Sequence, residues 1–265
     1  MNVKTKVALI ITVLIIFADI WLYTTQPLGE DFYIISDWVI VIYSLAAVTV
    51  GFYAFRLHGM KSIQGKALFF MIVGGVFWLL GEFFWAYQEV NLGIEIPTPS
   101  IADLFWFIGY PLFGMGLYHV WKITRAPVTK SRKYIISMTL VIILMIAGAY
   151  GAYPTITDPE MTLLEKGITL GYIVVDFILI VGAVIIILSF WGGKLVRPWL
   201  VILLSIIVST FADIMYAQVA SLYESGSFFG ILWDIDYILA AFGFFYYRQT
   251  MKDVMVSMKS AKKRG

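Results

Sequence analysis

Nine carboxylates fall within or at the rims of strongly apolar segments: Asp19, Asp37, Glu82, Glu89, Asp103, Asp176, Asp213, Asp234 and Asp236. A carboxylate inside a membrane span costs about 2.5–3.5 kcal/mol on insertion scales. Nine such groups facing lipid would be prohibitive. The acids can instead line a water-filled cavity, share protons among themselves and with Tyr or Trp, or hold a cation or cationic ligand. Glu82 and Asp213 are the foremost candidates, each about two helical turns below the surface and flanked by Trp85, Tyr87 and Tyr216. The competing reading for both is a structural hydrogen bond between helices. Asp37 and Asp176 lie in the first turns of their segments. Asp103 and Asp234 sit near helix N-termini, where a carboxylate also serves as a cap, and Ser100 and Asp103 have capping-box spacing. The expected ligand- or cation-binding set is therefore Glu82, Asp213, Asp37, Asp176, Asp103 and Asp234, with Trp85 and Tyr216.

Other chemistries have less support. Cysteine is absent, which excludes disulfides, thiolate nucleophiles and Cys-based metal sites. The two histidines, His58 and His119, fall at the opposite ends of their segments from the acids and read as interfacial residues. There is no HExxH, no GxSxG, no Gly-rich phosphate loop and no prenyltransferase-like Asp-rich pair. No catalytic residue, no cofactor and no nucleic-acid partner is expected, and a metal role for the acids stays open.

The elements that carry these acids are membrane spans. Of 265 residues 61% are apolar and only 14% charged, where a soluble domain carries nearer a quarter charged. The apolar residues form eight runs, roughly 7–26, 33–55, 67–90, 103–124, 134–153, 167–191, 198–221 and 228–248. Each is long enough to cross about 30 Å of hydrocarbon at 1.5 Å per residue. The first run has a short basic start like a signal peptide, but no small-residue cleavage site follows it.

The basic residues alternate with the spans. Lys4 and Lys6, then Arg56, Lys61 and Lys66, then Lys122, Arg125, Lys130, Arg132 and Lys133, then Lys194 and Arg197, then Arg248 onward all fall on one side. Only Lys166 falls on the other. The positive-inside rule predicts a multi-pass cell-membrane protein with both termini cytoplasmic, and seven spans would break the alternation. The nine acids then occupy the outer halves of their helices.

The two halves look like a tandem repeat of four spans. Tyr33–Trp38 matches Tyr172–Phe177, Glu82–Ala86 matches Asp213–Ala217, and Asp103–Trp106 matches Asp234–Tyr237. Coincidental placement of rim acids is the alternative. The expected organisation is an all-α polytopic membrane helix bundle of about eight transmembrane helices. Residues 1–128 and 129–250 form two four-helix units related by a pseudo-two-fold along the membrane normal, and 251–265 form a basic tail. Pro111 is expected to kink the fourth span. Gly167 and Gly171 form a GxxxG, for which ordinary packing is the plain reading. The tail reads as a continuation of span eight against anionic lipid, or as a docking helix for a partner.

The stretch Gly81-Glu82-Phe83-Phe84-Trp85-Ala86-Tyr87, then Pro99-Ser100-Ile101-Ala102-Asp103-Leu104-Phe105-Trp106, then Gly109-Tyr110-Pro111-Leu112 resembles the multi-span sensor regions found ahead of GGDEF diguanylate cyclase and sensor-kinase output domains in bacteria and archaea. Ala212-Asp213 through Trp233-Asp234 resembles a second, looser occurrence. The resemblance implies an input module for an unidentified signal and carries no catalytic residues. No cyclase, kinase or PAS-like domain follows span eight, so a stand-alone sensor with a separate membrane or cytoplasmic signalling partner is expected. Three functions remain in play. They are a sensor or accessory module whose outer acidic, aromatic-lined cavity binds a small ligand or cation, a cation- or proton-coupled transporter, and an intramembrane lipid or isoprenoid enzyme.

Overall fold

A chain in hydrocarbon must close its own backbone hydrogen bonds, and each apolar run here does so as a helix. In the computed structural model, which describes residues 2–94, 99–124, 129–190, 193–219 and 227–262, no strand occurs among the described residues. The helices are α1 (Val3–Thr25), α2 (Phe32–Phe55), α3 (Ile63–Ala86), α4 (Ile101–Thr124), α5 (Lys130–Ala147), the short α6 (Tyr153–Thr157), α7 (Leu163–Ser189), α8 (Val196–Val219) and α9 (Ile231–Lys262). Eight helical segments are long and apolar enough to cross a membrane, α5 and α6 joining through a π-turn at Gly148–Ala152 into one of them. The polytopic all-α architecture is as expected.

Local chemistry sets the helix ends. Asn2 caps α1 by accepting from Thr5 N, and Gln26 stops it in the left-handed region at φ 41. Ser62 caps α3 through Gly65 N at 3.0 Å. Thr162 and Glu165 form a reciprocal capping box on α7. α9 runs unbroken to Lys262, so the basic tail is the helical continuation read from the sequence. Asn2 Nδ2 donates to Asp253 Oδ2 at 3.2 Å, placing both chain ends at one face of the bundle, the termini face.

Six helices close a ring. α2 packs on α3, α3 on α4, α4 on α7, α7 on α8, α8 on α9, and α9 returns to α2. Outside it, α1 lies on α9 and α5 on α7. The ring order reads the same from either half, but α1 and α5 do not occupy equivalent places. Packing is tightest between α3 and α4, where a Cβ added to Gly74 would stand 2.8 Å from the Gly109 carbonyl oxygen. Small residues let the backbones meet, as membrane helices require. Of the predicted GxxxG, only Gly171 meets a neighbour, the Phe107 ring; Gly167 has nothing within 4 Å. Pro111 lies inside α4 and withholds an amide from the preceding turn.

Toward the termini face the ring is filled by Leu68, Met71, Phe113, Ile180, Ile202 and Phe244, all buried and apolar. Toward the opposite face it is not filled, and the acids collect there.

Candidate functional site

Two carboxylates organise this end of the ring, each held by a tryptophan and a tyrosine. Trp106 Nε1 on α4 donates to Glu82 Oε1 on α3 at 3.1 Å. Trp233 Nε1 on α9 donates to Asp213 Oδ1 on α8 at 2.9 Å. The tyrosines cross between the halves: Tyr237 Oη on α9 donates to Glu82 Oε1 at 2.7 Å, and Tyr110 Oη on α4 donates to Asp213 Oδ2 at 3.2 Å. Each tryptophan lies four residues before its tyrosine, so one helix face presents both donors. An indole N–H can only donate, which suits an acceptor-only carboxylate.

The flanking aromatics repeat the pattern. Trp85, one turn past Glu82, packs on Trp106 with ring centroids 5.8 Å apart. Tyr216, one turn past Asp213, meets Trp233 at 6.0 Å. Gly81 makes room for the Trp106 indole, since a Cβ there would sit 2.3 Å from Nε1.

Between these groups lies a cavity of ≈ 150 Å³. Its acidic lining is Asp37, Glu82, Asp103, Asp213 and Asp236, and its aromatic lining includes Trp78, Trp85, Trp106, Trp233, Tyr172 and Tyr237. Among the described residues no Lys, Arg or His lines it. Acids from both halves thus share one cavity. A second chamber toward the termini face shares Trp78, Tyr110, Ser209, Asp236 and Tyr237 with it and adds Asp176 and Ser205.

The remaining predicted residues divide. Asp37 lies beside Glu82 and Glu89, and its Oδ2 is buried without a hydrogen-bond partner. Asp176 lies beside Asp213, close enough to share a proton, and its Oδ2 is likewise unpartnered. Asp103 combines both readings made for it. Oδ2 accepts from Ser100 N at 2.6 Å as a cap, while Oδ1 accepts from Tyr172 Oη at 2.6 Å at the cavity wall. The capping box is incomplete, because the Ser100 hydroxyl accepts from Ala102 N instead.

Asp234 is not at the cavity, contrary to expectation. It turns toward α1, where Oδ2 accepts from Tyr23 Oη at 3.0 Å beside Asp19. Asp19 in turn accepts from Tyr43 Oη at 3.3 Å. The physical reason is helical register. The donors that match Trp106 and Tyr110 are Trp233 and Tyr237, one turn away from the alignment that paired Asp103 with Asp234. Two residues on, Asp236 points to the opposite side of α9, near Ser205 and Ser209. Sequence reading missed Trp106, Tyr110, Trp233 and Tyr237, although the shared Trp-x-x-x-Tyr spacing was available as a signal.

Among the described residues no group of three or more His, Asp or Glu side chains is placed to hold a metal ion. The histidines lie elsewhere. His58, in the turn after α2, meets Tyr247 Oη at 3.2 Å, and burial lowers its pKa from 6.5. His119 stacks on Phe70.

No family model, no characterised protein and no solved structure matches this chain.

Proposed function

We propose that the chain is a membrane-embedded sensor or accessory module that binds a small organic cation in the cavity opposite its termini. One observation carries this reading: Asp37, Glu82, Asp103, Asp213 and Asp236 meet tryptophan and tyrosine faces in one ≈ 150 Å³ cavity that no basic residue lines among the described residues. Carboxylates supply charge, and aromatic faces attract cations by about 0.5–2 kcal/mol each. A cavity of this size suits a ligand of a few heavy atoms. The Lys and Arg bias toward the termini face supports cytoplasmic termini and a cavity open to the outside. The resemblance to sensor input regions favours signalling as the use of such a site. The matched geometry around Glu82 and Asp213 supports reading the chain as two four-span units.

The test is thermal stability of the detergent-purified protein against alkylammonium and quaternary ammonium compounds, each beside a neutral isostere. A cation at 100 times its dissociation constant should add about 2.7 kcal/mol of stability. The isosteres should add nothing. Equal effects of charged and neutral compounds, or none at all, would rule the reading out.

One observation favours transport as a second reading. The inner chamber continues the cavity toward the termini face and carries its own acid, Asp176. Below it the ring is closed by the Leu68, Met71, Phe113 and Phe244 layer, which transport would have to open. Flux of the bound cation into proteoliposomes separates transport from sensing.

A further inference from the structure

The carboxyl groups at the cavity and its adjoining chamber gather around two centres, Glu82 and Asp213. Glu82 takes Trp106 and Tyr237 on a single oxygen, Oε1, leaving Oε2 to whatever the cavity holds. Beside it, Asp37 is 7% exposed, lines the cavity, and keeps Oδ2 without a hydrogen-bond partner. The second centre repeats this. Asp213 takes Trp233 and Tyr110, one on each oxygen, and each oxygen retains further acceptor capacity. Beside it Asp176 is 2% exposed and keeps Oδ2 unpartnered, at the wall of the adjoining chamber. Each centre therefore joins a carboxyl group held by tryptophan and tyrosine to a neighbour with one buried unpartnered oxygen, Asp37 (which also lies beside Glu89) at Glu82 and Asp176 at Asp213. The other two cavity acids are already engaged, Asp103 by Ser100 N and Tyr172, Asp236 by Ser205 and Ser209.

A buried acceptor without a donor is costly, and an ammonium carries three donors. A monocation answers one centre and leaves the other. Among the described residues no three ligating groups converge, which disfavours a metal ion. The cavity walls include Trp78, Trp106, Trp233 and Tyr172, an aromatic surface suited to a short methylene chain.

We infer that the ligand is a dication of the α,ω-diamine class, one ammonium at Glu82 and Asp37, the other at Asp213 and Asp176. This rests on the proposed function of the cavity as a cation site and narrows its ligand class. Tethering makes the second ammonium's binding intramolecular, so a diamine of fitting length should gain on the order of tenfold or more over a monoamine.

The experiment is calorimetric titration of the full-length purified protein with n-propylamine, n-butylamine and the α,ω-diamines from ethane-1,2-diamine to hexane-1,6-diamine. Affinity should pass through a maximum at one diamine length, at least tenfold above the monoamine of equal carbon count. Glu82→Gln and Asp213→Asn should each bring that diamine down to monoamine level. Monoamines binding as tightly as every diamine would overturn the dication inference and leave the cation site standing. Binding of no amine would overturn both. The wild-type length series decides by itself if either variant fails to fold.

Discussion

Tyr237 on the last span donates its hydroxyl to Glu82 on the third at 2.7 Å, joining residues from opposite halves of the chain. Tyr110 and Asp213 make the reciprocal bond at 3.2 Å. The carboxylates that organise the cavity are thus each held by their own half through an indole and by the other half through a phenol. Any ligand that draws on Glu82 or Asp213 also acts on the bonds between the halves, which gives binding a route to the packing of the ring.

Tyr237→Phe removes that hydroxyl and keeps the ring. A lost hydrogen bond to a carboxylate is worth about 1.5–3 kcal/mol. The variant should melt below wild type. Adding Tyr237→Phe to Glu82→Gln should cost less than the two single losses combined, because the partners share one interaction. Unfolding of the four proteins in detergent gives the coupling directly, and strict additivity would remove this bond from the account.

Gly81 and Gly167 form a matched test of how the site is positioned. A methyl at Gly81 meets the Trp106 indole at 2.3 Å, whereas one at Gly167 meets nothing within 4 Å. Gly81→Ala should cost about 1–3 kcal/mol through overpacking and should weaken cation binding by moving the Trp106 donor off Glu82. Gly167→Ala should leave both unchanged. Melting and binding measured side by side check the contrast.

The spans were legible because their apolar runs are uninterrupted, and the acids because a charge within such a run stands out. The direction each acid faces was not legible. On a helix apolar all round, periodicity carries no information about which side meets protein, so the sequence offered Asp234 for the binding set and left out Asp236, which lines the cavity. They face different neighbours, Tyr23 in one case and Ser205 and Ser209 in the other. The pairing of Tyr237 with Glu82 depends on α9 closing the ring against α2, a long-range contact that no local pattern encodes.

His58 supplies a pH signature at the termini face. Burial lowers its pKa in the folded protein below the unfolded value of 6.5. The unfolded chain therefore binds more protons as pH falls through 6.5, and stability should decline on acidification through that range. His58→Gln should flatten the decline between pH 7.5 and 5. Melting curves of both proteins across that interval test it, and identical slopes would count against a buried neutral imidazole.

Orientation is open to direct labelling, because the chain has no cysteine of its own. Leu28, exposed at the cavity end, and Ser257, exposed on the helical tail, mark opposite faces. A membrane-impermeant maleimide applied to intact cells should label Leu28→Cys and spare Ser257→Cys. The reverse pattern would turn the cavity toward the cytoplasm.

An organic cation held in the acidic, aromatic cavity on Glu82 must lose affinity when that carboxyl group is neutralised. The most direct test is calorimetric titration of wild type and Glu82→Gln with n-butylammonium and with butan-1-ol. Saturable binding of the ammonium alone is expected, weakened at least tenfold by the substitution, about 1.4 kcal/mol. Equal binding of amine and alcohol, or amine binding that Glu82→Gln leaves untouched, would contradict it.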